Sequence, residues 1–184
     1  MRSKIAVLSA GVLGVITALA SVPALAQAVG LPPAMAACGP DNVRYSVKTD
    51  PVQPAAPEQA PAGKALVVLV ENVPKAPLFL SLTLRVGMDG NWVGATRARE
   101  YMSFVVDPGM HHLCSSLQGA GLTSLQDPIA LHTLNVEAGK TYYFQVRLFG
   151  FGQDAVITSL DPVDGDEGRL LMQTMSHSVA RPKK

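Results

Sequence analysis

The chain has 184 residues, 15 Lys plus Arg against 14 Asp plus Glu, and 48% apolar residues, many of them crowded at the amino terminus. With Arg2 and Lys4 set aside as part of the leader described next, 13 basic and 14 acidic residues leave a chain of about −1. A near-neutral chain with its charge scattered along the sequence carries no electrostatic footprint for nucleic acid, and the roughly 158 residues beyond the leader suit one domain with a real core rather than two.

Residues 1–26 read as a secretory signal: Arg2 and Lys4, an apolar run at 5–20, then Ala24-Leu25-Ala26 as the cleavage site, with Ala28 as the second choice. The run is shorter than the roughly 20 residues a helix needs to span a bilayer, so no transmembrane helix is expected once the signal is removed. The protein is then secreted or periplasmic. Cys38 and Cys114 fall beyond the signal in a chain bound for an oxidising compartment, which predicts a disulfide between them. A competing reading takes Met35-Ala36-Ala37-Cys38 as a lipoprotein signal that anchors the chain through Cys38. Against it, Cys38 stands some 18 residues beyond the apolar run instead of closing it.

The arm at 27–63 holds one strand, in which Val43, Tyr45 and Val47 alternate with Arg44, Ser46 and Lys48. A surface connection follows at 51–63, kept extended by four prolines. The sandwich domain is assigned to 64–184. Its first strand, at 64–71, is apolar without alternation and so suits a position covered on both faces. After a break at 74–77, Leu80, Leu82, Leu84, Val86 and Met88 recur at period two into Asp89-Gly90, a pair able to take the positive φ angles of a two-residue hairpin turn. That turn would set Val86 opposite Val93 and Trp92 opposite Gly87, with the indole covering the backbone the glycine leaves bare. Strands at 101–106 and 111–117 flank the Asp107-Pro108-Gly109 turn; on the second of them, His112 and Cys114 share one face and His111 and Leu113 the other. A loop at 119–128 leads to a hairpin with arms at 130–137 and 141–149, and a last strand lies at 155–160. Asp164 then caps a helix of about three turns, with Glu167 three residues on, Leu170, Leu171 and Met175 as its apolar stripe, and Gly168 as a cost of roughly 1 kcal/mol. The basic tail at 181–184 is expected to be loose.

Five stretches carry a resemblance: Gly63-Lys64-Ala65, V-G-M-D-G-N-W-V-G at 86–94 followed by Tyr101, D-P-G-M-H-H at 107–112, E-A-G-K-T-Y-Y-F at 137–144, and D-G-D-E-G-R at 164–169. In these the chain resembles a family of small bacterial envelope proteins known only as a domain of unknown function, distantly similar to PEGA-type β domains. The resemblance implies an immunoglobulin-like or prealbumin-like sandwich and gives no reaction. Its motifs are mainly turns and core positions.

Together these features predict an all-β, mainly antiparallel sandwich of seven to nine strands with a short C-terminal helix. The predicted function is non-catalytic binding of an envelope protein by an exposed sheet edge or hairpin face. No G-x-S-x-G, H-E-x-x-H, phosphate loop or C-x-x-C is present, so no catalytic residue and no cofactor is assigned. Two alternatives carry specific residues. A cell-wall glycan would stack on Trp92, Tyr101 and Tyr143 if these gathered on one wet face; a metal-handling protein would use His112 and Cys114. The acidic run at 161–167 lacks the full spacing of a calcium loop and reads as a helix cap.

Overall fold

The computed structural model describes residues 38–50, 59–73, 82–118, 129–151 and 155–184. The expected signal peptide, most of the proline-rich connection, the break at 74–77 and the loop at 119–128 lie outside these residues. Within them, ten strands and one helix follow one another as β1 (Tyr45–Thr49), β2 (Ala65–Glu71), β3 (Thr83–Met88), β4 (Asn91–Arg97), β5 (Glu100–Val106), β6 (Gly109–Gln118), β7 (Ile129–Val136), β8 (Thr141–Phe151), β9 (Ala155–Val163), α1 (Gly165–Gln173) and β10 (Ser176–Pro182).

The strands form two sheets. One has the order β1-β10-β5-β2-β8-β9 and the other β4-β3-β6-β7. Six of the eight pairings are antiparallel; β2 with β8 and β10 with β5 are parallel. Between the sheets, Ala65, Val67, Leu69, Phe144 and Val146 meet Leu84, Val86, Leu113, Leu117 and Leu134 in one apolar core. The other face of β2, made of Leu66, Val68 and Val70, packs with Tyr101, Tyr143 and Met175 against Leu171 and Met172. This double covering is why residues 65–70 read as an unbroken apolar run, bounded by Lys64 and Glu71.

The helix begins as the sequence predicts. Asp164 Oδ1 accepts from the backbone N–H groups of Asp166 and Glu167 at 2.9 and 2.8 Å, and both acidic residues sit in the first turn, where the helix dipole favours them. Gly168 is more than a cost here. A Cβ at that position would lie 2.2 Å from the Tyr143 ring, so the glycine is what lets the helix settle on the sheet. Leu170, expected in the apolar stripe, points to solvent.

Several expectations need correction. The helix is not the last element, and the tail expected to be loose from 181 begins inside a strand: residues 176–182 form β10, antiparallel to β1 and parallel to β5. The strand was illegible because its inward positions are Ser178 and Ala180, small groups lying close to β4, where Ser178 Oγ donates to the Ala95 carbonyl at 2.9 Å. Asp89 and Gly90 do take positive φ, 50° and 81°, and Trp92 does stand opposite Gly87. Val86, however, faces Gly94, because a bulge between Val86 and Gly87 turns Val93 outward. The bare backbone of Gly87 is covered by Cys38, not by the indole: a Cβ on Gly87 would come within 3.0 Å of the Cys38 Cα.

Candidate functional site

The outer face of the smaller sheet is divided into a covered half and an open half. On the covered half lies the arm, held by three fasteners. The Cys38–Cys114 disulfide is formed, with Cα atoms 5.2 Å apart. The Trp92 indole N–H donates to the Pro40 carbonyl at 2.9 Å while its ring lies on Gly39, where a Cβ would collide at 2.4 Å. Arg85, only 2% exposed, donates to the Val43 carbonyl at 3.0 Å and to Ser116 Oγ at 3.2 Å, with its guanidinium 4.3 Å from the Trp92 ring centre. A buried guanidinium is tolerated only when acceptors and a π face replace water; the arm supplies backbone carbonyls, β6 the Ser116 hydroxyl and β4 the Trp92 ring. Alternation along β3 places Arg85 on the face away from the core, but nothing local reveals that 40 residues upstream the chain returns to bury it.

The bonded sulfurs bear on two sequence alternatives. Lipid anchoring through Cys38 requires a thioether at a sulfur that is already shared with Cys114. The metal pair His112 and Cys114 loses its thiolate to the same bond.

The aromatics named for a glycan do not share a wet face. Tyr101 and Tyr143, 4% and 8% exposed, are packed beneath α1, where Tyr101 meets the His177 ring at 5.2 Å; Trp92 belongs to the arm contact on the other sheet. A strand pattern shows that a tyrosine faces outward from a sandwich core, not whether a helix lies over it.

Two polar clusters stand apart from these. At the turn end of β3 and β6, His111 Nδ1 lies 2.6 Å from Asp89 Oδ2 and Nε2 lies 2.8 Å from the Asp107 carbonyl. Asp89 Oδ1 accepts from the His112 backbone N–H at 2.8 Å, and Asp107 Oδ1 from Lys64. Burial alone would lower the His111 pKa; the Asp89 carboxylate and the Asp107 carbonyl outweigh it and raise it, because a neutral imidazole satisfies only one of two acceptors. Burial alone would raise the Asp89 pKa; the hydrogen bonds from His111 and the His112 backbone, with the charges of the two imidazoles, outweigh it and hold the pKa below the ordinary Asp value. The tie is therefore complete above the ordinary Asp range and below pH 6.5, weakens on acidification through the lowered Asp89 value, and is lost on alkalinisation through the raised His111 value. Replacing His111→Gln is expected to cost less than about 1 kcal/mol, since the pair is partly exposed. Melting temperatures of the two proteins should differ most near pH 5.5 to 6 and converge as the pH rises through the raised His111 value; a difference constant across pH would show that His111 acts only by packing.

At the corner where β4 turns into β5, Glu71 ends β2 with no exposed surface. Thr96 Oγ1 donates to its Oε2 at 2.7 Å, and Oε1 has no hydrogen-bond partner among the described residues. Beside it Glu100 accepts from Thr49 Oγ1 at 2.7 Å and the Arg97 backbone N–H at 3.0 Å. Burial, opposed by the Thr96 bond and reinforced by the Glu100 charge, pushes Glu71 up to about 8. Glu71 is thus a protonated carboxyl at neutral pH. Lacking exposed surface, it reads as part of the frame rather than as an acid presented to a solute.

The open half is β7, a terminal strand of its sheet. Residues 129–136, I-A-L-H-T-L-N-V, contain no charge and no proline, and Ile129 and Leu131 are exposed on them. Natural edge strands are ordinarily blunted by charge, proline or a bulge. The other terminal strands are so marked: β1 carries Lys48, β4 carries Arg97 and β9 carries Asp161-Pro162. Comparison of the chain with family models, curated proteins and solved structures found no match.

Proposed function

We propose that this is an exported, non-catalytic β-sandwich module whose β7 edge takes an extended segment of a protein partner in the cell envelope. One observation carries the reading: among the described residues β7 is the terminal strand that carries no charge or proline, and it presents two exposed aliphatic side chains at alternate positions. An added strand would pair, for affinity, on the side of β7 to which no described strand is hydrogen-bonded, and would find Ile129 and Leu131 for specificity. Export is supported by the composition of residues 1–26 and by a disulfide of the kind that persists outside the cytoplasm. No helix among the described residues is long and apolar enough to cross a membrane.

The test uses a photo-crosslinking amino acid at Thr133 in the full chain, expressed in cells that export it, and compared with the same group at Asn91 on β4. A discrete adduct is expected from Thr133 alone. Adding Ile129→Lys and Leu131→Lys should abolish it while the melting temperature changes little, because both side chains are exposed. Absence of the adduct, or its survival with both lysines in place, would refute the β7 reading.

A further inference from the structure

The near-neutral total hides a division of charge that only the chain's last strand brings about. On β1, Tyr45 and Val47 are buried, while Arg44, Ser46 and Lys48 face solvent. β10 pairs with it in antiparallel register, Ser46 opposite Arg181 and Lys48 opposite Val179, and the Lys183 N–H donates to the Arg44 carbonyl at 2.8 Å. Residues directly opposite in an antiparallel pair share a face. Arg44, Lys48, Arg181 and Lys183 therefore project from the same side of one ribbon, followed by Lys184. No Asp or Glu occurs at 42–49 or at 176–184; Asp41 and Asp50 flank the ribbon. At the opposite end of the same sheet, β9 leads into Asp164, Asp166 and Glu167. The larger sheet is polarised, with one basic edge and, beyond β9, an acidic edge made by the first turn of α1, where Arg169 pairs with Asp166.

We propose that the β1–β10 ribbon is a docking surface for an anionic lipid bilayer. Its charges are spread over about 14 Å of strand and do not converge on a point, so they fit a plane of many negative groups better than one small anion. Ser46 and Val179 lie between them, with no aromatic ring for a base to stack on, which argues against single-stranded nucleic acid. Pairing with β1, Arg181 opposite Ser46 and the Lys183 N–H on the Arg44 carbonyl, fixes the backbone beneath these cations before they meet a membrane. The acidic edge, repelled by the same surface, would orient the module with β9 away from it. This surface is distinct from the β7 edge and does not depend on it.

Co-sedimentation of the full chain with vesicles of pure phosphatidylcholine, and with the same vesicles containing phosphatidylglycerol, tests the proposal. Binding is expected to rise with phosphatidylglycerol and to fall with added salt. Each cation near an anionic surface strengthens binding roughly fivefold, so K48A/R181A/K183A should weaken it on the order of a hundredfold. K48R/K183R should leave it unchanged, and the melting temperature of each variant shows that the fold is kept. Equal binding to both kinds of vesicle would overturn the proposal, as would full binding by the triple variant. Retention on immobilised polyglutamate with none on vesicles would reassign the ribbon to an acidic protein, and salt-sensitive self-association without vesicle binding would reassign it to the acidic edge of a second copy.

Discussion

Replacing Cys38 and Cys114 together with serine is expected to lower the free energy of unfolding by roughly 4 to 4.5 kcal/mol, the largest change any pair of substitutions here should produce. The bond closes a loop of 76 residues, and the chain-entropy model gives that figure for the freedom it removes from the unfolded chain. The folded state pays as well. Trp92 and Arg85 hold the arm only while Pro40 and Val43 lie within reach, and a released arm would leave a buried guanidinium short of acceptors. Urea unfolding measures the first effect. Because the chain has one tryptophan, a red shift of its emission before the main transition reports the second. Unchanged stability together with an unchanged spectrum would mean that the crosslink does not hold the arm in place.

Glu71→Gln should act in the opposite direction and stabilise the protein. A carboxyl that ordinarily ionises at 4.5 but here only near 8 is a raised group, so the folded state favours its protonated form. Stability is then undiminished below about pH 4.5, falls as the unfolded chain ionises, and reaches its full loss above about pH 8. Each pH unit between those limits costs about 1.4 kcal/mol, or ~3 kcal/mol by pH 7 as an order of magnitude. Glutamine keeps the shape and an oxygen for Thr96 while removing the charge, so its gain should be near zero at pH 4.5 and grow toward pH 8. Unfolding free energies at pH 4.5, 6 and 8 decide the matter. A variant less stable than the parent at every pH would show that Glu71 is ionised in place and compensated by its surroundings.

The contrast between β2 and β10 shows where sequence reading stopped. In β2 both faces meet apolar neighbours, so six consecutive residues, Ala65 to Val70, carry the record of their own burial. In β10 the inward groups are Ser178 and Ala180, chosen to lie close beneath β4, and a short sequence of small polar residues looks the same in a strand as in a tail. The site residues divide in the same way. The disulfide was open to inference because Cys38 and Cys114 are the only two cysteines, whereas the unguarded edge of β7 was not, since whether a strand is terminal depends on which others pair with it.

The sequence by itself determined the class of fold, the Asp89-Gly90 turn, the capped helix and the crosslink, because each follows from local φ preference, period-two burial or covalent chemistry. Tertiary structure alone decided that Tyr101 and Tyr143 lie beneath a helix, that Arg85 is buried by the returning arm, that Glu71 and Glu100 share a corner, and that the basic residues at 44–48 and 181–184 form one surface. Each of these depends on which distant segment covers or pairs with a given strand. That choice is made by long-range register and packing, which a residue and its immediate neighbours do not encode.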